Sequence, residues 1–592
     1  MRGNFNAAID ITTVFCHYCA GRRTCGWGEM SSGCKCFCWS RVADYVRPCS
    51  EYFTLPDAIP QWPQGSGFAT SRIKLGAIEV CQITKFEFIW GYNLSMDGKN
   101  GVSFYKPDGI PDGFFCLGHY CQSNEKPLCG YVLVARDVDI QEDCCTPALS
   151  NPVDYSLVWS SEEGGEESFD GCGYFWLPQP PEGYRATGFL VGNNPKKPDL
   201  NEIKCVRADL TDPCKVQSQI LCTHSKLSKA PLIVCTTKPL HAGMQGRGVS
   251  VGTFNCSSSK GLIDNEPNVV CLKNLDHSLH AMPNMDQIHA LVSHYGPTIF
   301  FHPAEVYLAS SVSWFFQNGA LLYSASNSAG EAIDAEGSNL PTGGTNDGKY
   351  WLDLPSDNRR AKVKHGNLES AKLYVHVKPA IGGAFTDVVL WIFAPFNGPG
   401  TLKLGTMNIA FTKVGQHVGD WEHVTLRISN FTGELWSMYF SQHSSGEWVN
   451  VTDLEFIKGN KPTVYASRNG HANFPHPGDH IQGSPKLGIG VRNDAAHSNY
   501  SIDSSNKYEI VAAEYLGDGA VDEPVWLQYM REWGPKVVYG SKTELDRIIN
   551  SLPLMVRCSL ENILGKLPLE LYGERGPTGP KEKDNWIGDE RS

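Results

Sequence analysis

The chain has 592 residues, a formal net charge of −12, 41% apolar and 11% aromatic residues, 59 glycines, 36 prolines and 15 tryptophans. That apolar content excludes a disordered protein, and the acidic balance excludes nucleic acid as the main partner. At roughly 150 residues per domain the length predicts about two to four domains, and the Gly, Pro and Trp content predicts many short strands and turns.

In chain order, no stretch approaches the ~20 apolar residues of a membrane span, and the N-terminus lacks the apolar core of a signal peptide. The expectation is a cytoplasmic protein, not secreted, sitting peripherally on an endosomal, vacuolar or plasma membrane. Twenty of the 21 cysteines precede residue 272 and the last is Cys558. An odd count in a long chain without an export signal predicts buried free thiols for most of them. The asymmetry marks a boundary near 272.

Residues 1–54 read as a Cys-rich tail, with 1–29 unlike the rest of the chain and taken as an upstream extension of the gene model. Cys16, Cys19 and Cys25 are too few and too unevenly spaced for a zinc knuckle. A natural start at Met30 makes Cys34, Cys36 and Cys38, flanked by Lys35, Phe37, Trp39 and Arg41, candidates for lipidation. The competing reading is a tail with unmodified thiols.

Residues 55–280 carry an internal repeat. Phe104-Tyr-Lys-Pro107 leads to Pro111-Asp-Gly113, and Phe175-Trp-Leu-Pro178 leads to Pro181-Glu-Gly183. Proline presets one turn position and glycine accepts positive φ, so each unit is strand, turn, strand. A weaker third unit covers Arg247–Phe254 and Val269–Lys273. Three such units predict a β-prism-like domain.

Residues 281–592 predict a β-sandwich with C-terminal helices. A short helix capped by Asn284 covers 284–295. Strands are expected at 371–378, 387–396, 420–428, 434–440, 462–466 and 508–515, with a mobile polar loop over 325–350. Ser541-Lys-Thr-Glu544 has capping-box spacing and starts a helix that Pro553 breaks. Trp526, Leu527 and Met530 suggest another short helix, and 573–592 reads as extended.

Gly415-Gln-His-Val-Gly-Asp-Trp-Glu-His-Val424 concentrates the chemistry. On a strand Asp420 and Glu422 share a face, while the alternation of polar and apolar residues slips near 423–424. Two adjacent carboxylates repel unless a proton or cation lies between them. The bland alternative is two surface carboxylates beside a core tryptophan. His476, Asp479 and His480 form a second polar cluster, and His302 and Glu305 come directly after an apolar strand.

Met30–Trp39, Gly67–Gly76, Ile83–Trp90, Gly415–Val424, Tyr465–His480 and Trp533-Gly-Pro535 together resemble a plant family named for vacuolar protein sorting-associated protein 62. The resemblance covers 30–592 and implies a role in protein delivery to the vacuole, without settling a biochemical activity. The 415–424 segment also resembles the Gly-His-Arg-His-Asp-Trp-Glu signature of necrosis-inducing cytolysins of plant pathogens. That likeness implies metal ligation by His417, Asp420 and Glu422, with His471 as the later histidine. Where that signature's earlier acid falls, this chain has Asn397, and Gly419 replaces its second histidine. A shell of His, Asp, Glu and Asn suits Mg²⁺, Ca²⁺ or Mn²⁺ better than Zn²⁺.

No nucleophile elbow, phosphate-binding loop or dinucleotide fingerprint is present in the sequence. The expected function is an intracellular, membrane-associated or trafficking-related binding protein with a divalent-cation site, a lipid head group or membrane surface being the partner. Its protein partners are not indicated by any motif. A metal-dependent hydrolase, with His417, Asp420, Glu422 and His471 around the ion, is the first alternative. A membrane-active cytolysin-like protein is the second.

Overall fold

The computed structural model describes residues 51–93, 101–138, 146–164, 171–223, 231–258, 267–443, 445–484, 486, 488–538, 550, 573–574 and 576–591. Residues Tyr45–Ser592 form one compact unit. The candidate zinc and lipidation cysteines, and the helix expected from Ser541, lie outside the described residues.

Six small sheets build the first part, one of four strands and five of three, and the repeat is carried by three of the three-stranded antiparallel ones. These three comprise Phe86–Asn93, Gly101–Pro107 and Tyr120–Ser123; Asp154–Ser160, Tyr174–Gln179 and Leu190–Gly192; and Cys214–Cys222, Ile233–Pro239 and Phe254–Ser257. Three backbone hydrogen bonds close the ring at equivalent places. Cys116 O accepts from Lys204 N (3.0 Å), Ala186 O from Val270 N (3.1 Å) and Val251 O from Leu133 N (2.8 Å). This is the β-prism that the repeat predicts, with one correction: its third unit begins at Cys214, ahead of the recognisable Arg247–Phe254 motif. In the first two units Phe114 N bonds Pro111 O (3.0 Å) and Tyr184 N bonds Pro181 O (3.1 Å), so both Pro-acid-Gly motifs are turns.

Aromatic rings fill the axis. Phe104 meets Phe175 edge-on at 4.8 Å and Phe254 at 5.3 Å, with Trp90, Trp159 and Phe189 around them. Edge-to-face contacts of this kind contribute roughly 0.5–1.5 kcal/mol each beyond burial. Eleven described cysteines are free thiols, and eight of them are buried, as the sequence predicts. Burial pushes the Cys116 thiol up to about 12.

The second part is a sandwich built on a six-stranded sheet. Its order is Ser445–Asn450, Leu435–Gln442, His417–Ser429, Phe385–Asn397, Leu373–Ala380, Tyr508–Ala512, antiparallel except for the last pair. All 13 residues of Phe385–Asn397 are buried, because both faces are covered. On one face Val424, Leu426 and Ile428 meet Ile299 and Val464 of a second sheet, and Leu291 and Tyr295 of the helix Met285–Tyr295. Asn284 caps that helix with Gln287 in a reciprocal capping box. On the other face Trp391, Phe393 and Trp421 meet Phe315, Trp526, Trp533 and Trp586.

Three expectations are corrected. The segment at 526–530 is a single 3₁₀ turn, Val525–Gln528. Part of the polar 325–350 stretch is ordered as strand Asn327–Ala332, which pairs with Leu321–Ser324. The alternation in His417–Ser429 does not slip near 423–424, since its pairing with Phe385–Asn397 stays regular from Asp420↔Ala394 to Ser429↔Phe385. Each face of the strand instead changes what it covers: 420 and 422 face a cavity where 424, 426 and 428 face core.

Candidate functional site

The site lies where the two longest strands end. Asn397 pairs with His417 across the sheet. Gly419, at φ +68, turns the backbone in a conformation that costs an L side chain roughly 1–2 kcal/mol. The pairing with Phe385–Asn397 keeps its register past this residue, with Val418 opposite Phe396 and His417 opposite Asn397.

Asp420 and Glu422 are buried, at 7% and 8% exposure, on the wall of a cavity of about 340 Å³. Asn397 and His417 line the same cavity. His417 Nδ1 donates to Gly419 O at 3.0 Å, and its Nε2 stands 3.9 Å from Asp420 Oδ1. The other oxygen of Asp420 accepts from His471 Nδ1 at 2.8 Å, and His471 Nε2 donates to Tyr307 O at 2.7 Å. His471 itself does not line the cavity. Glu422 bonds the Ser441 hydroxyl, which also accepts from His423 N at 3.0 Å. Asn397 Nδ2 donates to Gly415 O at 2.6 Å.

Burial alone would raise Asp420, but the His471 hydrogen bond and the charges of His417, His471 and Lys583 hold its carboxyl below the usual value. Burial would likewise lower His471, yet the Asp420 hydrogen bond and the charges of Glu305 and Asp420 raise it to about 9. Glu422 is pushed well above the carboxylate range by burial and by the Asp420 charge. The arrangement is therefore a tethered ion pair beside a buried acid held above its ordinary range. Among the described residues no group of three His, Cys, Asp or Glu side chains already stands in ligand geometry.

The loop that delivers His471 is strained. Asn469 and His471 hold φ of +68 and +52. Non-glycine residues keep such angles only where the surroundings over-determine them. Glu305 supplies that support, accepting from Asn469 N at 2.5 Å and from Val306 N and Tyr307 N at 2.8 Å. His476 instead bonds Glu455, Asp479 binds Arg492, and His480 stacks on Phe474 at 3.9 Å, so this second cluster stands apart from the cavity. His302 is used locally, accepting from Ala304 N.

Residues that the sequence did not single out also line the cavity, notably Arg468 and Lys583. Arg468 lies in the same 465–480 segment as His471, and that proximity was the available signal. Lys583 comes from the far end of the chain, and no spacing pointed to it.

Crystal structures with some likeness include GNIP1Aa from Chromobacterium piscinae, at TM-score 0.27 and 16% identity over 37% of this chain and 40% of that one. NLPPya in complex with mannosamine gives TM-score 0.21 and 12% identity over 40% and 76%. Scores this low support no argument about function. Among curated proteins, vacuolar protein sorting-associated protein 62 of Saccharomyces cerevisiae is 24% identical over 245 residues, 35% of this chain and 50% of that protein. The putative vacuolar protein sorting-associated protein TDA6 of the same yeast is 25% identical over 179 residues, covering 26% and 36%. The matched region thus spans half or less of either yeast relative's length. The family model for vacuolar protein sorting-associated protein 62 matches residues 49–590, and the chain belongs to that family.

Proposed function

We propose that this member of a vacuolar protein sorting family is a binding protein that takes a divalent cation, and through it a polar ligand at a membrane surface, in the Asp420 cavity. The observation that carries this reading is the pair His417 Nε2 and Asp420 Oδ1, 3.9 Å apart, with the remaining polar atoms of both side chains tied down. An ion at roughly 2.0–2.2 Å from each atom would bridge that gap. Backbone and side-chain partners that orient ligands in this way are the usual support of a metal site. Asn397 Oδ1 and the Glu422 carboxylate complete an oxygen-rich set suited to Mg²⁺, Mn²⁺ or Ca²⁺. His471 acts through Asp420, because both of its nitrogens are engaged. The set supplies charge and position, and the family's sorting role fits recognition better than turnover.

Calorimetric titration of the full chain with Mn²⁺, Mg²⁺ and Ca²⁺ tests the reading. One ion per chain is expected, and none in the double variant Asp420→Asn, Glu422→Gln. Equal binding by the variant, or no binding by the wild type, removes the cation from the site.

A further inference from the structure

Two cations line the Asp420 cavity without an anionic side-chain partner among the described residues. Arg468 is exposed, and Lys583 is half-buried on the C-terminal segment whose Gly576, Pro577 and Thr578 line the same cavity. Arg492 beside them is a contrast, held by Asp479 at 2.9 Å and Asp494 at 2.5 Å.

Resting on the reading of this cavity as a binding site, we propose that its ligand is a phosphate ester. Its oxyanion is held by Arg468 and Lys583, and its remainder lies toward Asn397. A guanidinium gives planar, bidentate recognition of phosphate oxygens, and an ammonium adds a point charge. A divalent ion at His417 and Asp420 would reinforce the same oxyanion, but the clamp stands on the two side chains alone. A cavity of about 340 Å³ accommodates a head group or a small phosphorylated polyol, not a lipid tail.

The test is calorimetric titration of the full chain with inorganic phosphate and with glycerol phosphate, each with and without Mn²⁺. It runs alongside flotation with phosphatidylcholine vesicles containing or lacking phosphatidic acid. Arg468→Gln with Lys583→Gln is expected to weaken phosphate binding at least about tenfold, roughly 1.4 kcal/mol, with an unchanged melting temperature. Binding of glycerol phosphate without flotation identifies a free ester as the source. Flotation that depends on phosphatidic acid and is lost in the double variant identifies a lipid head group. Absence of phosphate binding and of flotation in the wild type, or equal binding by the variant, overturns the proposal. Mn²⁺ titration without phosphate reads the cation separately, so either idea fails without the other.

Discussion

Asp420 shows how a single residue at this site is held against opposing demands. Its burial disfavours charge, and the His471 contact reverses that balance. Removing one partner of a buried ion pair leaves the other charge uncompensated, at a cost of roughly 3–5 kcal/mol. His471→Ala is therefore expected to lower unfolding free energy by about that amount in urea denaturation, whereas His476→Ala, a half-exposed residue outside the cavity, should change it by under ~1 kcal/mol. A loss of similar size in both variants would refute the assigned positioning role. At this scale the sequence went far: Asn397, His417, Asp420 and Glu422 do share one cavity wall. It did not show that His471 reaches the cavity only through Asp420. That depends on the strained 468–471 loop, whose angles are fixed by Glu305 from 164 residues away.

At the level of elements, two close approaches fix the geometry. A Cβ on Gly419 would stand 2.4 Å from the carbonyl oxygen of Trp533, in addition to the strain of φ +68. Gly419→Ala is predicted to destabilise the protein by more than about 2 kcal/mol and to weaken ligand binding with it, read as a fall in melting temperature and in calorimetric affinity. In the prism, Gly118 and Gly188 meet at the axis, where a Cβ on Gly188 would lie 2.8 Å from the Gly118 Cα. Gly188→Val should open the prism, detected as rapid labelling of Cys121 and Cys256, thiols that burial otherwise keeps well above their ordinary range. Strands and turns were legible because periodicity and Pro-acid-Gly chemistry are local. The start of the third prism unit was not, since Cys214–Cys222 and Ile233–Pro239 carry no copy of the Pro-Gly motif.

Across the whole molecule, the segment 576–591 ties both parts together. Trp586 stacks on His376 at 3.8 Å and donates to Glu514, while Ile587 O accepts from Met244 N of the prism at 2.8 Å. Lys378 Nζ donates to the Asn585 and Gly588 carbonyls, and Arg427 reaches Asp589 at 3.1 Å. Trp586→Ala should cost roughly 3–5 kcal/mol in chemical denaturation. Glu590 is buried against His423 and Thr425. Burial alone would raise it, but the His423 charge and hydrogen bond, with Lys378, bring it down to about 2 from an ordinary 4.5. The folded state thus keeps this carboxylate charged where the unfolded chain takes up a proton. Its stabilisation, on the order of 3 kcal/mol, is complete above about pH 4.5 and fades as pH falls towards 2. Acid titration monitored by tryptophan fluorescence should show this slope in the wild type and lose it in Glu590→Gln.

The sequence by itself determined the β architecture, the repeat, the capped linking helix and the face shared by Asp420 and Glu422, because each arises from backbone periodicity or turn chemistry within a few residues. Only the tertiary structure decided what each face covers and that His471 is a tether. The same holds for the place of Lys583 on the cavity wall. Those outcomes depend on contacts between segments more than 50 residues apart, set by burial and charge pairing, which no local spacing encodes.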